Sequence, residues 1–292
     1  MLSGYEHLIG GLSGGTVATF VCHPLDLMRI RYSANEGSAK RPQYRSYLHA
    51  FRSIVQAEGF RGLYQGLTPN IIAAPIAWGL YFHFYHQIHN VVGVSSDPDN
   101  QSFVTNLLVG CAAGGVVMAL TNPLWVAKTR LCLQYENSTK IYSGMTDCLR
   151  KIYAKEGVQG LYKGFLPGLV GTINGSIQFA IYNFLKDRRC ASLGLAADAK
   201  LSTVDYLLFS SLSKILSTMS TYPYQVVRTR VQDHNTAYNS IRHCLAQTWK
   251  HEGLGGFYKG AAMATVKQMP TGVITYLVYE HTRRLAGKLR TN

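Results

Sequence analysis

The segment PLDLMRIR, beginning at Pro24, returns as PLWVAKTR at Pro123 and as PYQVVRTR at Pro223. A second motif follows each copy: EGFRGLYQG from Glu58, EGVQGLYKG from Glu156 and EGLGGFYKG from Glu252. Two motifs in one order, at a pitch of roughly a hundred residues, make the chain a threefold tandem repeat. A repeat of long period dictates architecture before any local pattern does. The chain divides into repeat one (1–98), repeat two (99–198) and repeat three (199–292), and the three form one body.

Long stretches lack Asp, Glu, Lys and Arg altogether: 7–25, 62–96, 100–127 and 164–185. Each is about the 20 residues that a helix needs to cross the hydrocarbon core. Lys214 and Lys267 interrupt the matching windows of repeat three, but the repeat requires those windows to behave alike. The expected fold is an all-α membrane protein: six transmembrane helices, two per repeat, around a central cavity. The net charge is +14, and most of the 29 Lys and Arg lie in 29–65, 128–163 and 228–259. The connection 87–102 has none. Basic short loops stay on the side where translocation is resisted, so the three long loops share one side and both termini lie on the other.

The same pattern excludes other classes. A nucleic-acid surface needs its bases on a soluble face with interleaved aromatics. An enzyme needs a nucleophile, an acid–base pair or metal ligands that converge, and the charge-free spans supply none. The six cysteines form no CxxC pair and read as small buried residues. His83, His86 and His89 have no carboxylate or cysteine beside them, so no metal and no cofactor is assigned. The first residues show neither a signal-peptide layout nor an Arg-rich presequence.

Within a repeat, the first helix (about 5–33, 103–135 and 202–233) runs through its proline, which removes a backbone hydrogen bond and favours a kink. Neighbouring helices satisfy the freed carbonyl in a membrane. Three kinks at one depth draw the helix ends together and close one end of the cavity. Small residues at Gly11 and Gly15, and at Gly110 and Gly114, favour close packing; Ser210 and Lys214 hold the third copy. Amphipathic basic segments near 46–57, 145–155 and 240–251 read as short helices at the membrane interface. Second helices follow near 68–92, 166–188 and 262–288.

A substrate without threefold symmetry is held by residues that break the repeat. Ala73 and Val170 match Lys267; Ala74 and Gly171 match Gln268; Ala77 and Asn174 match Thr271; Trp78 matches Gly175 and Gly272. A lysine at mid-membrane depth costs about 2.5–3.5 kcal/mol and faces a wet cavity as a rule. Lys214 and Lys267 have no carboxylate at matching depth by this reading, so an anionic substrate is their expected partner. Trp78, with Tyr81 and Phe82, offers a stacking surface for a flat heterocycle. The candidate binding set is Lys267, Gln268, Lys214, Trp78, Asn174, Ala73 and Gly171.

The two motifs, three times over in six helices, resemble the mitochondrial carrier family across essentially the whole chain. PLWVAKTR with Trp125 is similar to the branch that carries pyrimidine nucleotides, NAD, FAD and folate. The longer phrases WGLYFHFY, TNPLWVAKTRLCLQY and TYPYQVVRTR are most similar to its folate and FAD carriers. The resemblance implies transport of FAD and/or folate by alternating access through one central site in the mitochondrial inner membrane. The basic loops would face the matrix and both termini the intermembrane space. It further implies a monomer in the lipid bilayer, with cardiolipin on the matrix side, and no nucleic-acid partner. Rival readings are an NAD or pyrimidine-nucleotide carrier of the same family, and a carrier-fold receptor or insertase that no longer transports.

The resemblance also implies two gates. In the matrix gate the acid positions are Asp26, Trp125 and Gln225 and the bases Arg29, Lys128 and Arg228. Only Asp26 with Lys128 is expected to form an ion pair, leaving Arg29 and Arg228 without a carboxylate. The intermembrane-space gate reads His86 with His89, Asn183 with Lys186, and Glu280 with Arg283. Its expected ion pair is Lys186 with Glu280, with Arg283–His86 and His89–Asn183 as hydrogen-bonding substitutes.

Overall fold

The computed structural model describes residues 3–36, 42, 44, 46–92, 103–135, 141–194, 201–234, 238 and 240–291, without the side chains of 3–9, 103, 104, 203 and 283–291. Its regular structure, among the described residues, is entirely helical. Repeat one gives α1 (Ser3–Ala34), α2 (Tyr47–Gly62) and α3 (Leu67–Val91). Repeat two gives α4 (Phe103–Cys132), α5 (Met145–Leu161), α6 (Phe165–Val170) and α7 (Asn174–Ser192). Repeat three gives α8 (Thr203–Gln232), α9 (Ile241–Gly256) and α10 (Ala261–Thr291). The continuous second helix expected near 166–188 is instead split by a 3₁₀ turn at Gly171–Ile173. Glycines at 168, 171 and 175 flank that turn, and glycine is a poor helix former.

Each second helix packs along the first helix of the following repeat: α3 on α4, α7 on α8 and α10 on α1. The three pairs close a ring. Gly10 and Gly14 make the close approach of α1 to α10. A Cβ at Gly14 would lie 2.7 Å from the Thr275 carbonyl oxygen, whereas Gly11 and Gly15 have nothing within 4 Å. The expected pair was therefore one residue out of phase in repeat one. Gly114 does pack closely, against Thr172.

By hydropathy, Thr105–Cys132 in α4 is the one helix among the described residues long and apolar enough to count as a span, at a mean of 1.7. The charge-free runs overstate apolarity because several spans carry polar residues inward. Within those runs His23, Asn70, Thr121 and Asn122 are all buried.

The buried hydrophobic clusters gather where the long basic loops join the helices. One holds Leu27, Ile30, Ile54 and Leu133; another holds Val126, Tyr142 and Ile152; a third joins Val227, Cys244 and Phe257. The residue before each proline ties α1, α4 and α8 to its own repeat. His23 Nε2 lies 2.9 Å from the Gln65 carbonyl, Asn122 donates to the Leu161 carbonyl at 2.8 Å, and Tyr222 donates to the Lys259 carbonyl at 3.0 Å.

The second base of each first motif ties neighbouring repeats together. Arg31 forks onto Glu58 at 2.5 and 2.8 Å and donates through Nε to the Cys132 carbonyl at 3.0 Å. Arg130 forks onto Glu156 and donates to the Gln232 carbonyl at 3.0 Å. Arg230 grips Glu252 at 2.7 and 2.9 Å and donates to the Ser33 carbonyl at 3.0 Å. All three arginines are fully buried. A charge is tolerated there because each guanidinium is paired and its remaining donors are used. The glycine after each glutamate (Gly59, Gly157, Gly253) takes φ of 62–66°, a left-handed turn that costs glycine little. That turn swings the glutamate back onto its arginine.

Candidate functional site

Inside the ring lies a two-lobed cavity. One lobe holds about 540 Å³ and the other about 500 Å³, and they share Arg29, Trp78, Trp125, Lys128, Gly171, Tyr224 and Gln225 as walls. Arg228 and Met118 belong to the larger lobe. Asp26, Asn174, Lys214, Lys267 and Gln268 belong to the other. Of the expected binding set, six residues line the cavity and Ala73 does not. Ala73 is fully buried in helix packing, and its neighbours Ala74 and Ala77 supply the small wall instead.

The charges in these walls are one-sided. Arg29, Lys128, Lys214, Arg228 and Lys267 face a single carboxylate, Asp26, among the described lining residues. Asp26 is buried and takes two lysines at once: Lys128 at 2.5 Å on Oδ2 and Lys267 at 2.7 Å on Oδ1. Arg29 Nε adds a third cation at 3.4 Å from Oδ1. Two expectations are thereby corrected. Lys267 does have a carboxylate partner, because the packing of α1 on α10 brings Asp26 to it. Arg29 likewise keeps a carboxylate, on its own helix one turn back, and donates to Gln225 Oε1 at 2.5 Å.

The Lys214 ammonium has a neutral partner, Gln178 Oε1 at 3.0 Å, and no ion pair among the described residues. Asn174 lines the cavity, yet its amide nitrogen is spent on the Ser217 carbonyl and on Thr221 Oγ1 at 2.7 Å. It holds α7 to α8 as much as it faces a ligand. Gln268 donates to Thr218 Oγ1 at 3.0 Å, and its carbonyl oxygen is buried without a partner.

The aromatic walls are Trp78, Trp125 and Tyr224. Trp78 is 63 % exposed and stacks on Phe82 with centroids 6.0 Å apart. Trp125 donates to Thr121 Oγ1 at 3.2 Å, and Lys128 lies over its ring at 5.3 Å from the centroid. One face of that indole is therefore already covered.

The three positions of the basic-loop gate differ in kind. Asp26–Lys128 is an ion pair, Gln225–Arg29 a charge-assisted hydrogen bond, and Trp125 faces its copy's share of the ring without any acid. At the opposite end, among the described residues, no ion pair joins Lys186 to Glu280 and no hydrogen bond joins His89 to Asn183. The Arg283 side chain lies outside the described residues.

Among the cavity residues that escaped sequence reasoning are Tyr224, Met118 and His23. Tyr224 was within reach. The second motif position reads Leu25, Leu124 and Tyr224, a break in the repeat of the kind used to find Lys267. The model of the family described as mitochondrial carrier protein matches residues 1–96, 99–190 and 199–289. The chain belongs to the mitochondrial carrier family.

Similar proteins are transporters by name. Chloroplastic folate transporter 1 of Arabidopsis thaliana is 36% identical over 96% of this chain and 95% of its own length. Chloroplastic nicotinamide adenine dinucleotide transporter 1 of the same plant is 34% identical over 94% and 89%. The mitochondrial FAD carrier protein of Saccharomyces cerevisiae is 30% identical over 95% and 96%.

Proposed function

We propose that this carrier moves a small anionic heterocycle, FAD and/or folate, across the mitochondrial inner membrane by alternating access through the central cavity. The observation that carries the reading is the imbalance of five cations to one carboxylate in walls that also present Trp78 and Trp125. A low-dielectric chamber lined by one sign of charge concentrates ligands of the other sign, and an indole face suits a conjugated ring. FAD joins flat rings to a pyrophosphate, and folate joins a pterin to glutamate carboxylates. Lys267, Lys214 and Gln268 bind the anion, and Trp78 stacks the ring. The gate of Asp26, Lys128, Arg29, Gln225, Trp125 and Arg228 opens to the matrix, and that of His86, His89, Asn183, Lys186, Glu280 and Arg283 opens to the intermembrane space, where both termini lie. The protein acts as a monomer, with cardiolipin at its matrix rim.

NAD is the second reading, supported by the 34% identity to a nicotinamide adenine dinucleotide transporter and by the same cation-and-indole chemistry. Uptake of labelled FAD, folate, NAD and pyrimidine nucleotides into liposomes holding the purified protein separates these. Saturable uptake of FAD or folate supports the first reading. Uptake of NAD or a pyrimidine nucleotide alone replaces it, and uptake of none of them removes transport of this class.

A further inference from the structure

Arg228 is the base of the third motif, and its place in the ring faces Trp125 where the other two copies offer Asp26 and Gln225. Among the described residues it makes no ion pair. Nη2 lies 3.4 Å from Met118 Sδ, and Nε is buried without a hydrogen-bond partner. A guanidinium left so in a membrane interior is costly.

The chain nevertheless makes room for it. A Cβ at Gly164 would come within 3.1 Å of Arg228 Cγ, and one at Gly168 within 3.3 Å of Cζ. A Cβ at Gly171 would come within 2.5 Å of the Tyr224 hydroxyl. Arg228 and Tyr224 thus lie along a strip of α6 and its 3₁₀ turn that carries no side chain, with Arg228 also against Met118. Both line the larger lobe beside Trp78 and Trp125. A planar fork with an unused donor in an aromatic-walled pocket matches a carboxylate or a phosphate.

We propose that Arg228 is an anion-binding residue of the substrate cavity, distinct from the Lys214 and Lys267 subsite, and that the substrate's own carboxylate or phosphate completes the third ring position. Two anion subsites on either side of the shared indole walls favour a heterocycle bearing more than one anionic group. This rests on the reading of the cavity as a site for anionic heterocycles.

The test is thermal unfolding of the purified full chain, titrated with FAD, folate and NAD, with riboflavin as an uncharged counterpart. Wild type should be stabilised by at least one of the anions and far less by riboflavin. Arg228→Gln should need about tenfold more anion or higher for the same stabilisation, with a ligand-free midpoint no lower than that of wild type, since the change removes an unpaired charge. Arg228→Lys should fall between. Stabilisation of the wild type that Arg228→Gln retains at the same concentration overturns this inference alone. A lowered ligand-free midpoint with unchanged affinity also overturns it, since that is the behaviour of a purely structural gate residue. No stabilisation of the wild type by any of the anions overturns both readings. Should Arg228→Gln not fold, Trp125→Asp and Trp125→Asn carry the test. Only the aspartate supplies an internal anion, so it must weaken binding more than the asparagine, and equal affinities overturn the inference.

Discussion

Asp26 and Lys267 meet at 2.7 Å, joining the first helix of repeat one to the second helix of repeat three. The other oxygen of the same carboxylate holds Lys128 at 2.5 Å. One acid therefore belongs both to the proposed basic-loop gate and to the proposed substrate site. An anion that draws Lys267 away leaves Asp26 with fewer partners, which links occupancy of the site to the strength of the gate.

Asp26→Asn strands the buried Lys128 and the partly buried Lys267. Removing one partner of a buried pair costs about 3–5 kcal/mol, so the variant should unfold at lower temperature and leak substrate. Asp26→Asn combined with Lys267→Gln should be less damaged than the sum of the single changes, because the second change removes one stranded charge. Thermal unfolding of the four proteins gives the cycle; additivity within about 0.5 kcal/mol would show that the pair is not coupled. A charge swap between Asp26 and Lys128 should rescue poorly, since it sets a lysine against Lys267.

Trp125 fills an acid's position opposite Arg228. Trp125→Asp should create an ion pair there, raising the midpoint of thermal unfolding and slowing maximal uptake, because a stronger gate opens less readily. Unchanged values of both would remove Trp125 from the gate.

The arginine forks predict a dependence on pH. Hydrogen bonding to Arg130, against an opposing push from burial and helped by Lys163, holds the Glu156 carboxyl down at about 2 from its usual 4.5. Burial pushes Glu252 up, but Arg230 and Lys259 outweigh it and hold that group low as well. Carboxylates depressed in the folded state contribute stability above their unfolded pKa and lose it as pH falls through the folded one. Stability at the basic-loop end should therefore decline from about pH 4.5 down to about 2. Glu156→Gln should flatten that decline and lower the midpoint at neutral pH. An unchanged acid limb in Glu156→Gln would exclude this pair as its source.

Much of the architecture was legible because the repeat triples every signal. Five of the six long helices follow from the repeat and its charge-free runs, the three short helices from the basic amphipathic segments, and the Asp26–Lys128 pair from the family resemblance. What escaped depends on helix phase and inter-helix distance. Gly10 and Gly14, not Gly11 and Gly15, face α10, and a pattern of adjacent glycines does not fix which pair points inward. Ala73 aligns with Lys267 but is buried, because α3 and α10 do not present equivalent faces to the cavity. The Asp26–Lys267 contact spans 241 positions, a proximity that no local pattern encodes. The arginine–glutamate forks were present in both motifs and were missed because the two were read separately.

Binding of an anion by the central cavity is tested most directly at Lys267. In liposomes at matched protein incorporation, Lys267→Ala should raise the half-saturating concentration of the transported anion about tenfold or more. Lys267→Arg should keep most of the affinity, since position and charge survive. Wild-type half-saturation in Lys267→Ala would place the anion elsewhere and contradict the account.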